Sequence, residues 1–221
     1  MHVRENGHRV NDYLSLDQSR NANLKNYQDS INYIGTKNGY VFRLGDKTKN
    51  KLKSNNYFDY GSSVFKNDYL EIFLMHISKF IIGTCSGPFY LGDVYQKKHS
   101  ILTNIPFGSV QFSEGSIGIP KLLFSTKTKK LLSFNHYTKI IPPIFFSGNK
   151  TYKNLNIEQI DNSSEDILSA VREVVENYGK KKWAKSLKFR KKFPVKNTNP
   201  FMQNRIPIAL SFLKKYSNLF Y

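Results

Sequence analysis

The sequence predicts an α/β fold in which a parallel sheet is covered by helices on both faces. Short apolar runs of strand type alternate with segments whose apolar residues recur at spacings of three and four. Buried strands joined by helices are typical of parallel sheets. The chain has 221 residues, of which 39% are hydrophobic. This is enough for a full hydrophobic core and excludes a disordered chain.

The first elements are a strand, a helix and a second strand. Residues 1–4 have the character of a strand end, and Asn23 is placed to cap the helix. One face of that helix is apolar and consists of Leu24, Tyr27, Ile31 and Ile34. Gly39 stops the helix, and residues 40–44 are predicted to form a buried strand.

The alternation continues through the middle of the chain. A second helix is predicted from the apolar face formed by Leu70, Phe73, Leu74 and Ile77. Strands are predicted at residues 80–84 and 100–103. Between them lies a turn in which Pro88 suits the first position of a helix.

The last part of the chain follows a different pattern. Residues 121–134 predict a strand and a turn, and a helix capped by Ser163 or Ser164 ends at Gly179. A terminal helix is predicted at residues 206–213. We therefore expect two units: an α/β core over residues 1–150, and a helical extension with a basic segment over residues 151–221.

The positive charge of the chain is concentrated near its end. Lys and Arg number 34 against 16 Asp and Glu, and nine of these basic residues fall within residues 180–196. Basic residues interleaved with aromatics such as Trp183 could bind an anionic membrane surface or nucleic acid. Nucleic acid is the least favoured partner because no recognised motif accompanies the segment. A solvated segment beside a core-packing Trp183 is the alternative.

Several kinds of site are excluded by what the sequence lacks. One cysteine allows no intramolecular disulfide and no zinc site that needs several cysteines. There is no apolar run of 18 residues and no signal-peptide layout, so a cytoplasmic protein is expected. Glycine-rich nucleotide motifs and a D-x-D pair are also missing. A phosphate ligand would have to be neutralised by cationic side chains and backbone amides, without a metal or cofactor.

The turn after the strand at 80–84 is the first candidate site. Gly87 would let backbone N–H groups approach a ligand, and the following helix N-terminus favours phosphate. Ser86 could donate a further hydrogen bond. The alternative is an ordinary turn, in which Cys85 is a small buried residue and not a nucleophile.

Three arginines are candidates because arginine is scarce here, with seven against 27 lysines. Arginine binds phosphate oxygens in a bidentate manner, and open α/β sheets bind ligands at the carboxyl ends of their strands. Arg4 and Arg43 lie at such ends, and Arg20 lies in a loop. The alternative is structural ion pairing, for example with Glu5 or Asp46.

Acidic side chains near predicted strand ends complete the candidates. Glu114 lies in a loop after a strand and could accept hydrogen bonds from ribose hydroxyls, although a plain turn residue is the alternative. Asp46, Asp12 and His2 are the other polar candidates. A catalytic base among them would need a raised pKa.

In their order and spacing, short segments of this chain resemble a bacterial family of predicted glycosyltransferases from surface-polysaccharide gene clusters. The resemblance covers nearly the whole chain. It is carried by His2–Glu5, Ser19–Asn21, Val41–Asp46, Ser78–Pro88, Thr103–Pro106, Gly118–Leu122, Glu165–Ile167 and Ser211–Leu213. The H-x-R element His2–Arg4 also resembles the first motif of fucosyltransferases with the GT-B fold.

The resemblance implies a Rossmann-like parallel sheet with flanking helices, equivalent to the C-terminal, donor-binding half of a GT-B glycosyltransferase. Residues 1–150 would be the nucleotide-sugar-binding core. Arg4 would meet the donor diphosphate as the catalytic residue, with Ser86 and Gly87 in the same pocket. The other donor-binding candidates are Arg20, Arg43, Asp46 and Glu114.

The expected function is the metal-independent transfer of a sugar from a nucleotide-sugar to a surface polysaccharide or lipid-linked glycan. GT-B enzymes place the active site between two Rossmann-like domains, so a separate N-terminal half is an expected partner. The inner face of the membrane is another expected partner. The main alternative is a non-catalytic remnant that docks on a membrane or partner through residues 180–196. Nucleic-acid binding and transfer of another group, such as pyruvate, are further alternatives.

Overall fold

The computed structural model describes residues 1–5, 19–48, 50–95, 99–106, 116–134, 136, 149–180 and 207–220. Its helices are α1 (Gln28–Thr36), α2 (Asp68–Ile77), α3 (Gly87–Val94), α4 (Asn149–Asn154), α5 (Ser164–Asn177) and α6 (Leu210–Lys215). Its strands are β1 (Val41–Phe42), β2 (Tyr57–Phe58), β3 (Ile82–Gly83), β4 (Ile101–Ile105), β5 (Ile117–Pro120), β6 (Leu122–Ser125), β7 (Lys130–Leu131) and β8 (Ile157–Ile160). Short 3-10 turns occupy Leu24–Tyr27, Tyr60–Ser62 and Ser217–Leu219.

Parallel pairing runs through the centre of the fold. β1 pairs with β2, β3 with β4, and β4 with β5, all in parallel. The segment Met1–Arg4 lies between β1 and β3. There His2 forms a parallel bridge with Gly83, and the Met1 carbonyl accepts a hydrogen bond from Leu44 N at 2.8 Å. These contacts join the strands into one continuous parallel arrangement.

The order across this sheet is β2, β1, Met1–Arg4, β3, β4, β5 and residues 207–208. Numbered along the chain, the order is 3-2-1-4-5-6-7. The chain therefore builds the sheet outward from Met1–Arg4, first on one side and then on the other, as doubly wound α/β sheets do. The predicted α/β class is confirmed, and the strand order is compatible with a Rossmann-like sheet.

Helices cover both faces of the sheet, as predicted. Successive side chains of a strand point to opposite faces. In β4, Ile101 packs in the larger core with residues of α1 and α5, whereas Leu102 packs in a smaller cluster with Phe89 of α3. A third cluster joins Leu44 to Met75 of α2.

The helices begin where the sequence supplies a capping side chain. Asn23 Oδ1 accepts a hydrogen bond from Lys25 N at 3.0 Å at the start of the first helical segment. Asn67 Oδ1 accepts one from Leu70 N at 2.9 Å at the start of α2. Ser163 caps α5. The predicted caps at Asn23 and Ser163 are thus confirmed.

A second sheet follows the parallel one. β6 pairs in the antiparallel direction with both β7 and β8. The strand and turn predicted at residues 121–134 correspond to β6 and β7. β8 was not predicted, because a four-residue strand between two helices carries too short an apolar pattern to recognise.

Two predicted elements differ in extent. β1 is shorter than the buried strand predicted at residues 40–44, and the Phe42 side chain is 39% exposed beside β2. The terminal helix begins at Leu210 because Ile208 is extended and bridges Gly118 at the sheet edge.

The buried face of α2 also differs from the prediction. Phe73 and Ile77 are 53% and 56% exposed, and Met75 is the buried residue of the helix. Because α2 is apolar on most sides, residue spacing alone does not identify its buried face.

Residues before and after position 150 pack together, and the division into two units stays a prediction. One core cluster contains residues from both sides of this position, including Val3, Ile101, Val171 and Ile208. Among the described segments, no helix has the length and apolar character required to cross a bilayer.

Candidate functional site

The candidate site lies at the carboxyl ends of the two strands where the sheet order reverses. Arg4 follows the first strand segment, and residues 84–87 follow its parallel neighbour β3. In open α/β sheets, the crevice at such a reversal is the usual ligand position. The fold therefore brings together two candidates about 80 residues apart in sequence: Arg4 and the turn at residues 84–87.

Arg4 is fixed by both its backbone and its side chain. Its backbone N–H donates to Thr84 Oγ1 at 3.0 Å, and its Nε donates to Asn21 Oδ1 at 3.0 Å. The Thr84 side chain is fully buried, so this anchor belongs to the core of the sheet. These contacts orient the guanidinium at the strand end.

Arg20 contacts the same turn through its side chain. Its Nη1 donates to the Cys85 carbonyl at 3.5 Å. The turn is thus contacted by the backbone of Arg4 at Thr84 and by the guanidinium of Arg20 at Cys85. Sequence reasoning selected Arg20 as a candidate in a loop, but no local pattern indicated that it would contact the turn that follows β3.

Ser86 is a buried member of the turn. Its Oγ lies 2.8 Å from His2 Nδ1 and 3.0 Å from the Thr84 carbonyl. Gly45, which has a φ of 99°, packs against the imidazole ring of His2. A Cβ at this position would lie only 2.7 Å from His2 Nε2. The Ser86 hydroxyl therefore holds the turn to the first strand segment. To contact a ligand, it would have to leave one of these partners.

Gly87 begins α3 and is exposed. A Cβ built on it would meet no atom within 4 Å. Open space therefore lies beside the start of α3, at the end of the turn that Arg4 and Arg20 approach. Cys85 is a buried cysteine within this turn.

Arg43 contacts a different set of residues. Its side chain is 2% exposed, pairs with Asp59 at 2.6 Å and donates to the Asp46 carbonyl at 2.8 Å. The Asp46 carboxylate is 62% exposed and lies 3.5 Å from Lys66 Nζ. This geometry favours the structural alternative for Arg43, with Asp59 as the ion-pair partner. Glu114, Asp12 and nearly all of the basic segment at residues 180–196 lie outside the described residues.

A polar groove of about 580 Å³ opens beside Arg4. Its walls include Glu5, Asn21, Lys121, Tyr152, Gln159 and Asp161. Glu5 accepts hydrogen bonds from Thr48 Oγ1 and, at 2.5 Å, from Asn50 Nδ2. The groove thus joins the first strand end to β8 and α4.

A buried lysine lies in the wall of this groove. Lys121 is 6% exposed, and its Nζ lies 2.7 Å from both the Asn21 carbonyl and Asp161 Oδ1. The side chain of the same Asn21 accepts from Arg4. Sequence reasoning missed Asn21, Lys121 and Asp161 as site residues. The available signals were a lysine directly after the apolar segment Ile117–Pro120 and the presence of Asn21 and Lys121 in segments that carry the family resemblance.

A second cavity, also about 580 Å³, lies at the opposite, amino ends of the strands. Its walls are mostly apolar and include Val41, Leu74, Phe80 and Val175. No arginine lines it, and its cationic side chains are Lys37 and Lys79. We therefore place the candidate site at the carboxyl edge.

Within the described ranges, no three His, Cys, Asp or Glu side chains cluster closely enough to hold a metal ion. Comparison of the chain with models of known protein families, with curated proteins and with solved structures found no match.

Proposed function

We propose that this chain is the donor-binding half of a glycosyltransferase that uses a nucleotide-sugar without a metal ion. The observation that carries the proposal is the convergence of Arg4 and Arg20 on the turn at residues 84–87, at the reversal of strand order. The Arg20 guanidinium on this turn, the Arg4 side chain held by Asn21 at the adjacent strand end and the start of α3 together suit a diphosphate. The strand order is compatible with the Rossmann-like donor half of a GT-B enzyme.

In this function the arginines act on the leaving group. The acceptor hydroxyl oxygen forms a bond to the anomeric carbon of the sugar, and the bond from that carbon to the diphosphate oxygen breaks. The electron pair leaves with the diphosphate, and the acceptor proton passes to a base that we do not assign to any described residue. Arg4 and Arg20 stabilise the charge that builds on the diphosphate.

The remaining parts of the proposal concern partners. The acceptor is a surface polysaccharide or lipid-linked glycan, and a separate N-terminal half would complete the active site. The start of α3 at Gly87 supplies backbone N–H groups to the diphosphate. Arg43 is not included in the donor site, because its guanidinium is buried against Asp59.

The test is nucleotide binding by the purified chain. GDP, UDP, CMP and ADP are compared by thermal shift at fixed salt, and affinities are then measured by calorimetry. A ligand at 100 times its dissociation constant should stabilise the fold by about 2.7 kcal/mol. Arg4→Ala and Arg20→Ala should each weaken binding by about 10- to 100-fold, since charged hydrogen bonds to phosphate are lost.

The matched control is Arg172→Ala. Arg172 is an exposed arginine of α5, and its guanidinium lies over the ring of Tyr33 in α1. This substitution should leave nucleotide affinity unchanged. Wild-type affinity in Arg4→Ala would sink the role of Arg4. A folded protein stabilised by none of the nucleotides would sink the function and favour the docking-module alternative.

A further inference from the structure

We infer that the polar groove binds the sugar of the donor, and that this sugar is an uncharged, hydroxyl-rich ring. The inference rests on the proposed function, which places the diphosphate at Arg4 and Arg20. It adds a second subsite, with its own residues, beside the arginines.

The groove is continuous with the proposed diphosphate site through Asn21. The Asn21 side chain accepts from Arg4 Nε at 3.0 Å, and its backbone carbonyl accepts from Lys121 Nζ at 2.7 Å. Asn21 also lines the groove, as does Glu5, the residue after Arg4. A group attached to a diphosphate held by Arg4 would therefore enter this groove.

Two side chains of the groove carry buried polar atoms without a hydrogen-bond partner. They are the Tyr152 hydroxyl and both polar atoms of the Gln159 amide. Tyr152 is 3% exposed, and burial raises the pKa of its phenol, so it stays protonated. An unpaired buried polar group is costly and rare in folded proteins. Two such groups in the wall of one groove indicate a ligand that supplies both donors and acceptors.

The charge of the groove indicates a neutral ligand. Its charged side chains are three carboxylates (Glu5, Glu158 and Asp161) and two lysines (Lys121 and Lys153). The more buried lysine is neutralised by Asp161 at 2.7 Å. An anionic group would therefore meet net negative charge and no unpaired buried cation. A divalent cation is not favoured either, because the described acids do not cluster as metal ligands.

Sugar hydroxyls fit this set of groups. Each hydroxyl can donate one hydrogen bond and accept two, as the phenol and the amide require. The Glu5 carboxylate, held in place by Thr48 and Asn50, is a fixed acceptor at the Arg4 end. A hydroxyl-rich ring would thus satisfy the unpaired atoms without introducing charge.

The test compares sugar nucleotides with their parent diphosphates by calorimetry. The probes are UDP-glucose, UDP-galactose, GDP-mannose and GDP-fucose, each measured against UDP or GDP, with UDP-glucuronate as the acidic counterpart. The variants are Tyr152→Phe and Gln159→Leu, which remove the unpartnered polar atoms and keep the side-chain volume. The control is Ser30→Ala, which removes a buried, unpartnered hydroxyl on α1, outside the groove.

We expect at least one neutral sugar nucleotide to bind more tightly than its diphosphate. Each groove variant should reduce that gain by about three- to tenfold, as the loss of one neutral hydrogen bond predicts. Affinity for the bare diphosphate and thermal stability should not fall. If Tyr152 and Gln159 had a purely structural role, neither variant would change the gain in affinity of the sugar nucleotide over its diphosphate. Ser30→Ala should also leave this gain unchanged.

The inference is overturned if diphosphates bind but both groove variants keep the full preference for every sugar nucleotide. A preference for UDP-glucuronate over every neutral sugar nucleotide would also overturn it. If no nucleotide binds, the proposed function fails. The groove is then tested with free monosaccharides by saturation-transfer NMR, where a signal lost in Tyr152→Phe supports sugar binding and the absence of any signal refutes it.

Discussion

Asn104 and Asn162 hold each other through reciprocal backbone and side-chain hydrogen bonds. Asn104 N donates to Asn162 Oδ1 at 2.6 Å, and Asn162 N donates to Asn104 Oδ1 at 2.8 Å. The Asn162 amide also donates to the Pro120 carbonyl at 2.8 Å. One pair of asparagines therefore joins the carboxyl ends of β4 and β5 to the start of α5.

Replacing Asn162 should destabilise the fold strongly. Asn162→Ala leaves the buried Asn104 N–H and the Pro120 carbonyl unpaired, and each unpaired group costs about 1–3 kcal/mol. We expect a total loss of about 2–6 kcal/mol in the free energy of unfolding, measured by urea denaturation. The control is Asn177→Ala, whose amide bonds only the Glu173 carbonyl within α5. Equal losses in the two variants would contradict this role.

Substitution of Arg43 tests whether this residue stabilises the fold or binds the nucleotide. Arg43→Met removes a buried ion pair with Asp59 and the hydrogen bond to the Asp46 carbonyl. Removing one partner of a buried pair is expected to cost about 3–5 kcal/mol. The midpoint of urea unfolding should therefore fall, while the nucleotide affinity of the protein that remains folded should match wild type.

The opposite result for Arg43 would change the assignment of the site. If Arg43→Met lowered nucleotide affinity as much as Arg4→Ala while leaving stability intact, Arg43 would belong with the donor residues. Arg172→Ala serves as the control for both measurements, because it removes the same type of side chain from an exposed position.

Asp166 belongs to the capping box at the start of α5 and also bonds residues near the end of α6. Asp166 is 5% exposed and accepts from Ser163 N at 3.2 Å at the start of the helix. It also accepts from Lys215 Nζ at 2.8 Å and from Tyr216 Oη at 3.1 Å. One carboxylate therefore caps α5 and attaches the end of α6 to it.

Removing that carboxylate should cost more than removing the cap alone. We expect about 1 kcal/mol for Ser163→Ala, which is typical of an N-cap. For Asp166→Ala we expect about 2–4 kcal/mol, because Lys215 and Tyr216 also lose their partner. Glu165→Ala is the control. It pairs with the same lysine from a 76% exposed position and should cost under about 1 kcal/mol. If the three losses by thermal or urea unfolding were equal, the link to α6 would be unsupported.

Local features of the fold could be predicted from the sequence, and long-range ones could not. The cap at Asn23, the cap at Ser163 and the alternation of strands and helices depend on residues close together in the chain. The placement of Met1–Arg4 between β1 and β3 depends on pairing with residues about 40 and 80 positions away. No spacing rule supplies that pairing.

The same limit applies to the candidate site. The scarcity of arginine selected Arg4, Arg20 and Arg43 alike. Only the fold distinguishes the role of Arg43 from those of the other two. Its guanidinium is buried in an ion pair with Asp59, which lies 16 residues away in sequence. Asn21, Lys121 and Asp161 meet across 100 and 40 residues, so their shared role had no local signature.

The contributions of Lys121 and Asp161 to the free energy of unfolding should be strongly coupled. The lysine is 6% exposed, and its carboxylate partner is 33% exposed. Lys121→Met should cost about 3 kcal/mol, since it leaves the Asn21 carbonyl and Asp161 without their cation. Asp161→Asn should cost less, because its amide still accepts a hydrogen bond from Lys121. In a double-mutant cycle by urea unfolding, the coupling between the two should exceed about 1 kcal/mol. Additive effects would show that the pair does not stabilise the wall of the groove.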